Sequence, residues 1–506
     1  MAVASSPAVS STSQALRSAT WDLSWPLIVG VVLFIYLDNV NGLPLLSDPD
    51  THWHIAVGNW MLEHRAMPHV DTFSFTFAGK PWIAKEWLSQ VLLAGAYDLG
   101  GWGAVTGLSA AAVAVTAALL LRLLLSDLKP LPAILFTAAA MVMMEPHFLA
   151  RPHVLAFPIT LLWVSGLVRA VEERRAPRPM LLLAMLLWAN MHGGFTLGLM
   201  LAGAFALDAL IDARDWAERK SLFVAWLKFG IASVLVACIT PYGPESMLVT
   251  LRIFGLGDAL GAIAEWRSPN FQDQPMQELV LLVGLYLALS RGLKLPLIRL
   301  LIVIGLAHLY LRYARNAELL ATFAPLSIAP TLARQWPSLR PDPASAAAEG
   351  NALLRRVAAL ARPAGLGATA AVLALSLAFA GGIIRYANVT PPDEILPAAA
   401  LAFARDAGFK GHVFNAYNYG GPLIHAGIPT FIDGRGELYG SDFIKQYVKT
   451  VFQRGDEPLD KFLDRYQIEW TMLAKDLPAN KVLALLPGWY QLYGDDQTLI
   501  FVRQRP

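Results

Sequence analysis

Residues 45–64, "LLSDPDTHWHIAVGNWMLEH", place two aspartates and two histidines within seven positions, directly after an apolar run over 24–46 that is long enough to enter a bilayer. Pro49 should hold Asp48 extended. Asp50 is placed to cap a helix beginning at Thr51. On that helix His54 lies one turn after Asp50 on the same side, whereas His52 points elsewhere. Capping accounts for Asp50 but leaves Asp48 and the imidazoles unexplained. Asp48, Asp50 and His54 are therefore a candidate ligand set for one metal or one substrate. Oxygen ligands favour Mg²⁺ or Mn²⁺, and an imidazole tilts the choice towards Mn²⁺. Trp53 and Trp60 read as interfacial anchors.

Outward from this stretch the chain is 56% hydrophobic and 15% charged over 506 residues, too apolar for a water-soluble fold. Its 40 basic and 38 acidic groups nearly balance, so no global charge points to nucleic acid. A single cysteine, Cys238, excludes an intramolecular disulfide and a cysteine metal cage. Apolar runs near 24–46, 87–125, 130–145, 154–170, 179–191, 193–212, 221–240, 276–290, 295–311, 316–333 and 364–386 predict about eleven transmembrane helices. The run over 87–125 is too long for one span and contains Gly100 and Gly101, so its first half is expected to be an interfacial or tilted helix.

Basic residues fall on alternate connections: Arg174, Arg175 and Arg178; Arg214, Arg219 and Lys220; Arg291 and Lys294; then Arg334, Arg340, Arg355, Arg356 and Arg362. The positive-inside bias assigns these to the cytoplasm. Residues 1–23 then read as a cytoplasmic tail, 334–362 as a cytoplasmic linker within a membrane domain over 24–386, and everything after 386 as outside. The outward connections are 47–86, "MMEPHFLARPH" at 143–153, "ANMHGG" at 189–194, "AEWRSPNF" at 264–271 and "RYARN" at 312–316. They collect Glu86, Glu145, His147, Arg151, His153, His192, Glu265, Arg312 and Arg315 on one membrane face. Cations kept outside against the bias suit an anionic ligand. The ordinary roles are snorkelling for the arginines and a helix-dipole partner for Glu86.

From about 391 the composition becomes that of a water-facing domain. A helix near 394–407, strands "HVFN" and "TFID", helices near 441–453 and 458–466, a strand "IEWTMLA", and a hairpin "WYQLYG"/"TLIFVR" predict a small α/β layer. Gly420 and Gly421 permit a tight turn. Asp433 ends the predicted strand "TFID", where α/β sheets present ligand groups. Asp433 and Arg435 either touch ligand or form a loop-fixing ion pair.

An acidic motif after the first span, many irregular spans and an outer α/β domain together resemble the GT-C superfamily of membrane glycosyltransferases. The spacing of Asp48, His52 and Ala56 resembles that in protein mannosyltransferase and lipid A aminoarabinose transferase relatives, and "DPDTHWH" resembles the Asp-Pro start of oligosaccharyltransferase catalytic subunits. "NYGGPLI" with "FIDGR" resembles, in order and placement, the segment of those subunits that carries Trp-Trp-Asp. The chain lacks that triplet, so the resemblance does not extend to asparagine-glycan transfer. "DPDTHWHIAVGNWML", "KPWIAKEWLSQ", "EWRSPNF" and "FIDGRGELYG" resemble a broad group of bacterial membrane proteins of this superfamily.

The resemblance implies a polytopic α-helical membrane protein of the bacterial inner membrane, with a periplasmic C-terminal α/β domain over 391–506. It implies transfer of a sugar from a polyprenyl-phosphate donor to a glycan, lipid or protein acceptor by one inverting displacement. Asp48, with Asp50 and Glu86 beside it, is then the candidate base. Arg151, His192, Arg312 and Arg315 are candidates for the donor phosphate. His52, His54, Glu145, His147, His153, Glu265, Asp433 and Arg435 are candidates for binding substrate. A metal-independent polysaccharide ligase of similar architecture and a lipid or glycan flippase are the rival readings. A flippase should carry charge at mid-membrane, and Asp38 and Glu318 are the nearest candidates, both close to the outer edge.

Overall fold

Backbone polar groups in lipid have only one another to bond, so each apolar run closes into a helix. The computed structural model describes residues 22–39, 45–253, 266–341 and 352–504. Its membrane part contains α1 (Trp25–Leu37), α2 (Asp50–His64), α3 (Trp87–Leu124), α4 (Pro130–Met144), α5 (Pro152–Glu172), α6 (Leu181–Met191) and α7 (Phe195–Ile211). These are followed by α8 (Trp216–Ala237), α9 (Glu245–Ile253), α10 (Pro275–Ser290), α11 (Leu297–Arg312), α12 (Ala317–Gln335), α13 (Ala352–Ala359) and α14 (Leu366–Tyr386). Each of the apolar runs read from the sequence holds a helix. Among the described residues, four helices are long and apolar enough to cross a membrane: α3, α5, α8 and α14. Helices α1, α6, α7 and α10 are apolar but shorter.

The 38-residue α3 breaks where its glycines fall: Gly100 has φ −166° and ψ 28°, and Gly101 has φ 58° and ψ −149°. A positive φ costs glycine little, so the first part of α3 turns away from the second, as the run length requires. Helix α3 packs on α1, α2, α5 and α14. At one end of the bundle Arg299 of α11 lies between Asp208 of α7, at 2.9 Å, and Glu172 of α5, at 2.6 Å, and Arg334 of α12 also reaches Glu172. Arg174 bridges to Asp212 and Glu218 at the same end. The basic connections therefore gather at one end, and Asp48, Arg151 and His192 lie at the other.

The C-terminal domain, expected on the outer side and called the outer domain for that expectation, holds α15 (Ala398–Asp406), β1 (His412–Asn415), α16 (Gly420–His425), α17 (Gly436–Val451), α18 (Leu459–Arg465), β2 (Ile468–Ala474), α19 (Ala479–Leu483), β3 (Trp489–Gly494) and β4 (Thr498–Arg503). The sheet order is β1-β2-β4-β3, parallel between β1 and β2 and antiparallel elsewhere. Phe414, Phe431, Phe462 and Trp470 fill its core. Two expectations need correction. "TFID" is not a strand of this sheet: Thr430 bridges instead to Ser74 of the first outer connection, its N–H donating to the Phe73 carbonyl and its carbonyl accepting from Phe75 N–H. Gly420 and Gly421 make no tight turn but open α16, where they permit close approach. A Cβ on Gly421 would lie 2.2 Å from the Pro49 carbonyl oxygen, and one on Gly420 2.5 Å from that of Ile432.

Candidate active site

The first outer connection and the outer domain are locked by one guanidinium. Arg435, wholly buried, donates from Nε and Nη2 to Asp433 at 2.8 and 2.6 Å and from Nη1 to Asp71 at 2.6 Å. Tyr439 adds a hydroxyl donor to Asp433 at 2.6 Å, and the guanidinium lies over the rings of Phe73 and Trp82. Burial pushes the Asp433 carboxyl up, but Arg435 more than reverses this and holds it below the ordinary range. Asp433 and Arg435, expected as possible ligand contacts, have no accessible surface; they form the ion pair that fixes the loop. Phe75 stacks on His412 at 4.0 Å, and Phe77 packs between Tyr439 and Phe443. Outer domain and first connection thus share a core.

That docking shapes the acidic motif. Helix α2 begins at Asp50, one residue earlier than expected, and Asp48 rather than Asp50 supplies the side-chain acceptor at its start: Asp48 Oδ1 takes the Asp50 N–H at 2.7 Å. The other oxygen of Asp48 accepts from Arg151 Nη1 at 3.1 Å, and Asp50 Oδ2 accepts from Arg151 Nη2 at 2.8 Å. One guanidinium from the 143–153 connection therefore clamps both carboxylates, which remain 12% and 16% exposed. Gly434 lies against Asp50, where any Cβ would collide with Oδ1.

The metal reading does not fit these side chains. Arg151 holds Asp48 and Asp50 together by donating to both, and His54 turns into the core, stacked on Trp53 with Nδ1 3.2 Å from Gln90 Nε2. Among the described residues, His, Cys, Asp and Glu side chains nowhere group as three metal ligands. Burial first, and then the charges of Arg151 and Lys85, hold the His54 imidazole well below its ordinary pKa. His52 is also buried, its ring 4.6 Å from Trp102 and 5.9 Å from His425, and burial lowers it to about 3.

Beside the carboxylates lies a cationic group that the sequence reading met only in part. Trp87 Nε1 donates to Asn190 at 2.7 Å and Ser89 to the Met191 carbonyl at 2.9 Å, which fastens the start of α3 to the end of α6. This brings Glu86 within 3.7 Å of His192, whose ring is 6.1 Å from that of His153. Lys85, not among the expected residues, pairs with Glu437 of α17 at 2.7 Å. Burial pushes its ammonium down, but Glu437 and Glu86 more than reverse this, so Lys85 stays charged. Arg315, its guanidinium 4.4 Å above the Trp266 ring, acts electrostatically on Lys85 and His192. The available signal for Lys85 was its presence in an outward connection against the charge bias, the same signal that singled out the arginines.

Other expected residues lie apart. Arg312 is exposed and bonds Tyr313, so it does not join Arg315 at the cluster. Glu145 is exposed, and His147 contributes its carbonyl to His153 Nε2. Glu265 lies outside the described residues. An apolar cleft of about 410 Å³ lined by Trp87, Leu88, Leu186, Leu187, Asn190, Ile239, Thr240 and Pro241 adjoins Glu86 and His192 along the chain.

Burial, opposed by Glu86 and reinforced by Arg315 and Lys85, lowers His192 to about 4 against an ordinary 6.5. Between these values the unfolded chain binds more protons than the folded one, so stability is full above pH 6.5 and falls as pH drops towards 4. Thermal melts from pH 7.5 to 4 should show this decline, up to about 3 kcal/mol for the site. His192→Asn should flatten it; an unchanged pH profile in that variant would place the loss elsewhere.

No protein-family model matches the chain, and no curated protein matches it in sequence. Its fold, by contrast, is similar to solved structures. The archaeal oligosaccharyltransferase AglB from Archaeoglobus fulgidus, in complex with an inhibitory peptide and a dolichol-phosphate, matches with TM-score 0.51 and 11% identity, over 89% of this chain and 69% of that one. ArnT from Cupriavidus metallidurans in the apo state matches with TM-score 0.51 and 14% identity, over 97% of this chain and 98% of that one. The chain therefore shares the fold of these two proteins over most of its length.

Proposed function

We propose that this chain is a membrane glycosyltransferase that moves a sugar from a polyprenyl-phosphate donor to an acceptor on the outer side of the bacterial inner membrane. One observation carries the reading: Arg151 holds Asp48, Arg151 and Lys85 both act on His54, and Arg315 acts on Lys85 and His192, at the end of the bundle opposite the basic connections, while Trp87 and Asn190, each two positions along the chain from Lys85 and His192, line an apolar recess. A lipid phosphate needs such a pairing, cations for its head and apolar surface for its tail. The likeness to a GT-C protein solved with dolichol-phosphate supports the same class of donor.

In this reading the acceptor hydroxyl oxygen attacks the anomeric carbon while the bond from that carbon to the phosphate oxygen breaks. Asp48 takes the hydroxyl proton. The bonding electrons leave with the carrier phosphate, whose growing charge Lys85, Arg151 and Arg315 stabilise where water is largely excluded. Arg151 also orients Asp48, because it holds Asp50 at the same time. A single displacement inverts the anomeric centre. With the cationic group in place, no step requires a divalent ion, which favours the metal-independent form of the chemistry.

The test is release of sugar from a labelled short-chain polyprenyl-phosphate sugar by the protein in vesicles. Appearance of free carrier phosphate with the label on an acceptor supports the reading. Movement of intact donor across the bilayer without cleavage would replace it with the transporter.

A further inference from the structure

Glu437 sits where the donor phosphate has to compete for its lysine. Its carboxylate meets Lys85 Nζ at 2.7 Å, and both side chains are largely enclosed, 16% and 12% exposed. It occupies the first turn of α17, two residues after Arg435, whose guanidinium is immobilised by Asp433 and Asp71. The anion is thus presented from a rigid support on the outer domain. Burial pushes its carboxyl up, but Lys85 more than reverses this and keeps it charged.

The reaction changes the charge of the carrier. The donor head is a phosphodiester with one negative charge. When the bond from the anomeric carbon breaks, the carrier keeps the bridging oxygen and its electron pair and becomes a phosphomonoester, with about −1.5 to −2 charges at neutral pH. Fixed cations alone therefore hold the spent carrier more tightly than the donor and slow its exchange. A fixed anion beside them repels the head in proportion to its charge, and so weakens the product more than the substrate.

We propose that Glu437 is the residue that sets this discrimination: it occupies Lys85 in the empty site, yields it to the donor phosphodiester, and on transfer helps to expel the phosphomonoester by repelling it and recapturing Lys85. This rests on the lipid-phosphate reading and adds to it a specificity-determining residue supplied by the outer domain. A neutral glutamine at 437 would keep the shape and lose the repulsion.

Binding of a short-chain prenyl phosphate and of its methyl phosphodiester, measured at pH 7.5 in detergent by tryptophan fluorescence, tests this without turnover. Glu437→Gln should bind the monoester roughly tenfold more tightly and the diester roughly threefold, widening the preference between them. Glu437→Asp, which keeps the charge, should stay near the wild-type ratio, and in a Lys85→Met background the effect of Glu437→Gln should shrink. Equal tightening of both probes by Glu437→Gln, or weakening of both, overturns the proposal and leaves Glu437 as a domain tether. A wild-type protein that binds neither probe overturns the carrier reading itself.

Discussion

Replacing Asp48 by Asn is expected to lower sugar transfer by about 10²–10⁴-fold, the usual contribution of a general base, while melting moves little. The amide keeps an oxygen for the Asp50 N–H, and Arg151 keeps its second partner in Asp50, so the clamp survives. The proton acceptor does not. Transfer rates with saturating donor, set beside thermal melts of the same preparations, separate the two effects. Full turnover in the Asn variant would remove Asp48 as the base, and a loss shared equally with Asp50→Asn and matched by a fall in melting temperature would assign both carboxylates to the clamp.

Arg435→Met should have the largest effect on stability. It leaves Asp433 and Asp71 as carboxylates at 0% and 1% exposure without their cation, and Tyr439 with a distorted acceptor. Removing one partner of a buried pair costs about 3–5 kcal/mol. Because the same guanidinium joins residue 71 to residue 433, the first outer connection should loosen from the outer domain and become open to protease before the membrane helices unfold. Melting followed by tryptophan fluorescence, together with limited proteolysis mapped along residues 65–86, checks this. A variant that melts and resists protease like the wild type would show that the apolar contacts of Phe75 and Phe77 suffice.

The two variants probe different layers of one arrangement. In the proposed function Asp48 and its neighbours carry out chemistry in a group that keeps some access to solvent. Arg435 holds together the surfaces that bring that group into being. Glu437 connects them, since it follows the latch in sequence and reaches into the cationic group.

Much of this was written locally. Apolar runs alone determined where the helices lie, because backbone groups in lipid bond only within their own segment. The break in α3 was legible from the length of its run and from Gly100 and Gly101. The stretches "WYQLYG" and "TLIFVR" marked the hairpin of β3 and β4. The alternation of basic connections gathered Asp48, Arg151, His192 and Arg315 at one end of the bundle. Pairings were a different matter, because the partner of a charge is chosen by distance in space. Arg435 meets Asp71 across 364 positions, and Lys85 meets Glu437 across 352. No spacing rule reaches so far, which is why Asp433 and Arg435 stayed open between ligand contact and ion pair, Asp71 was not seen as their third member, and Lys85 passed unnoticed. In the same way Asp48, Asp50 and His54 have the spacing of a metal set, yet only the folded chain brings Arg151 onto both carboxylates and turns His54 into the core. Sequence determined the elements through short-range hydrogen bonding and burial; tertiary structure decided which charges neutralise one another, because in a low-dielectric interior each must be answered by whichever opposite charge the packing brings within reach.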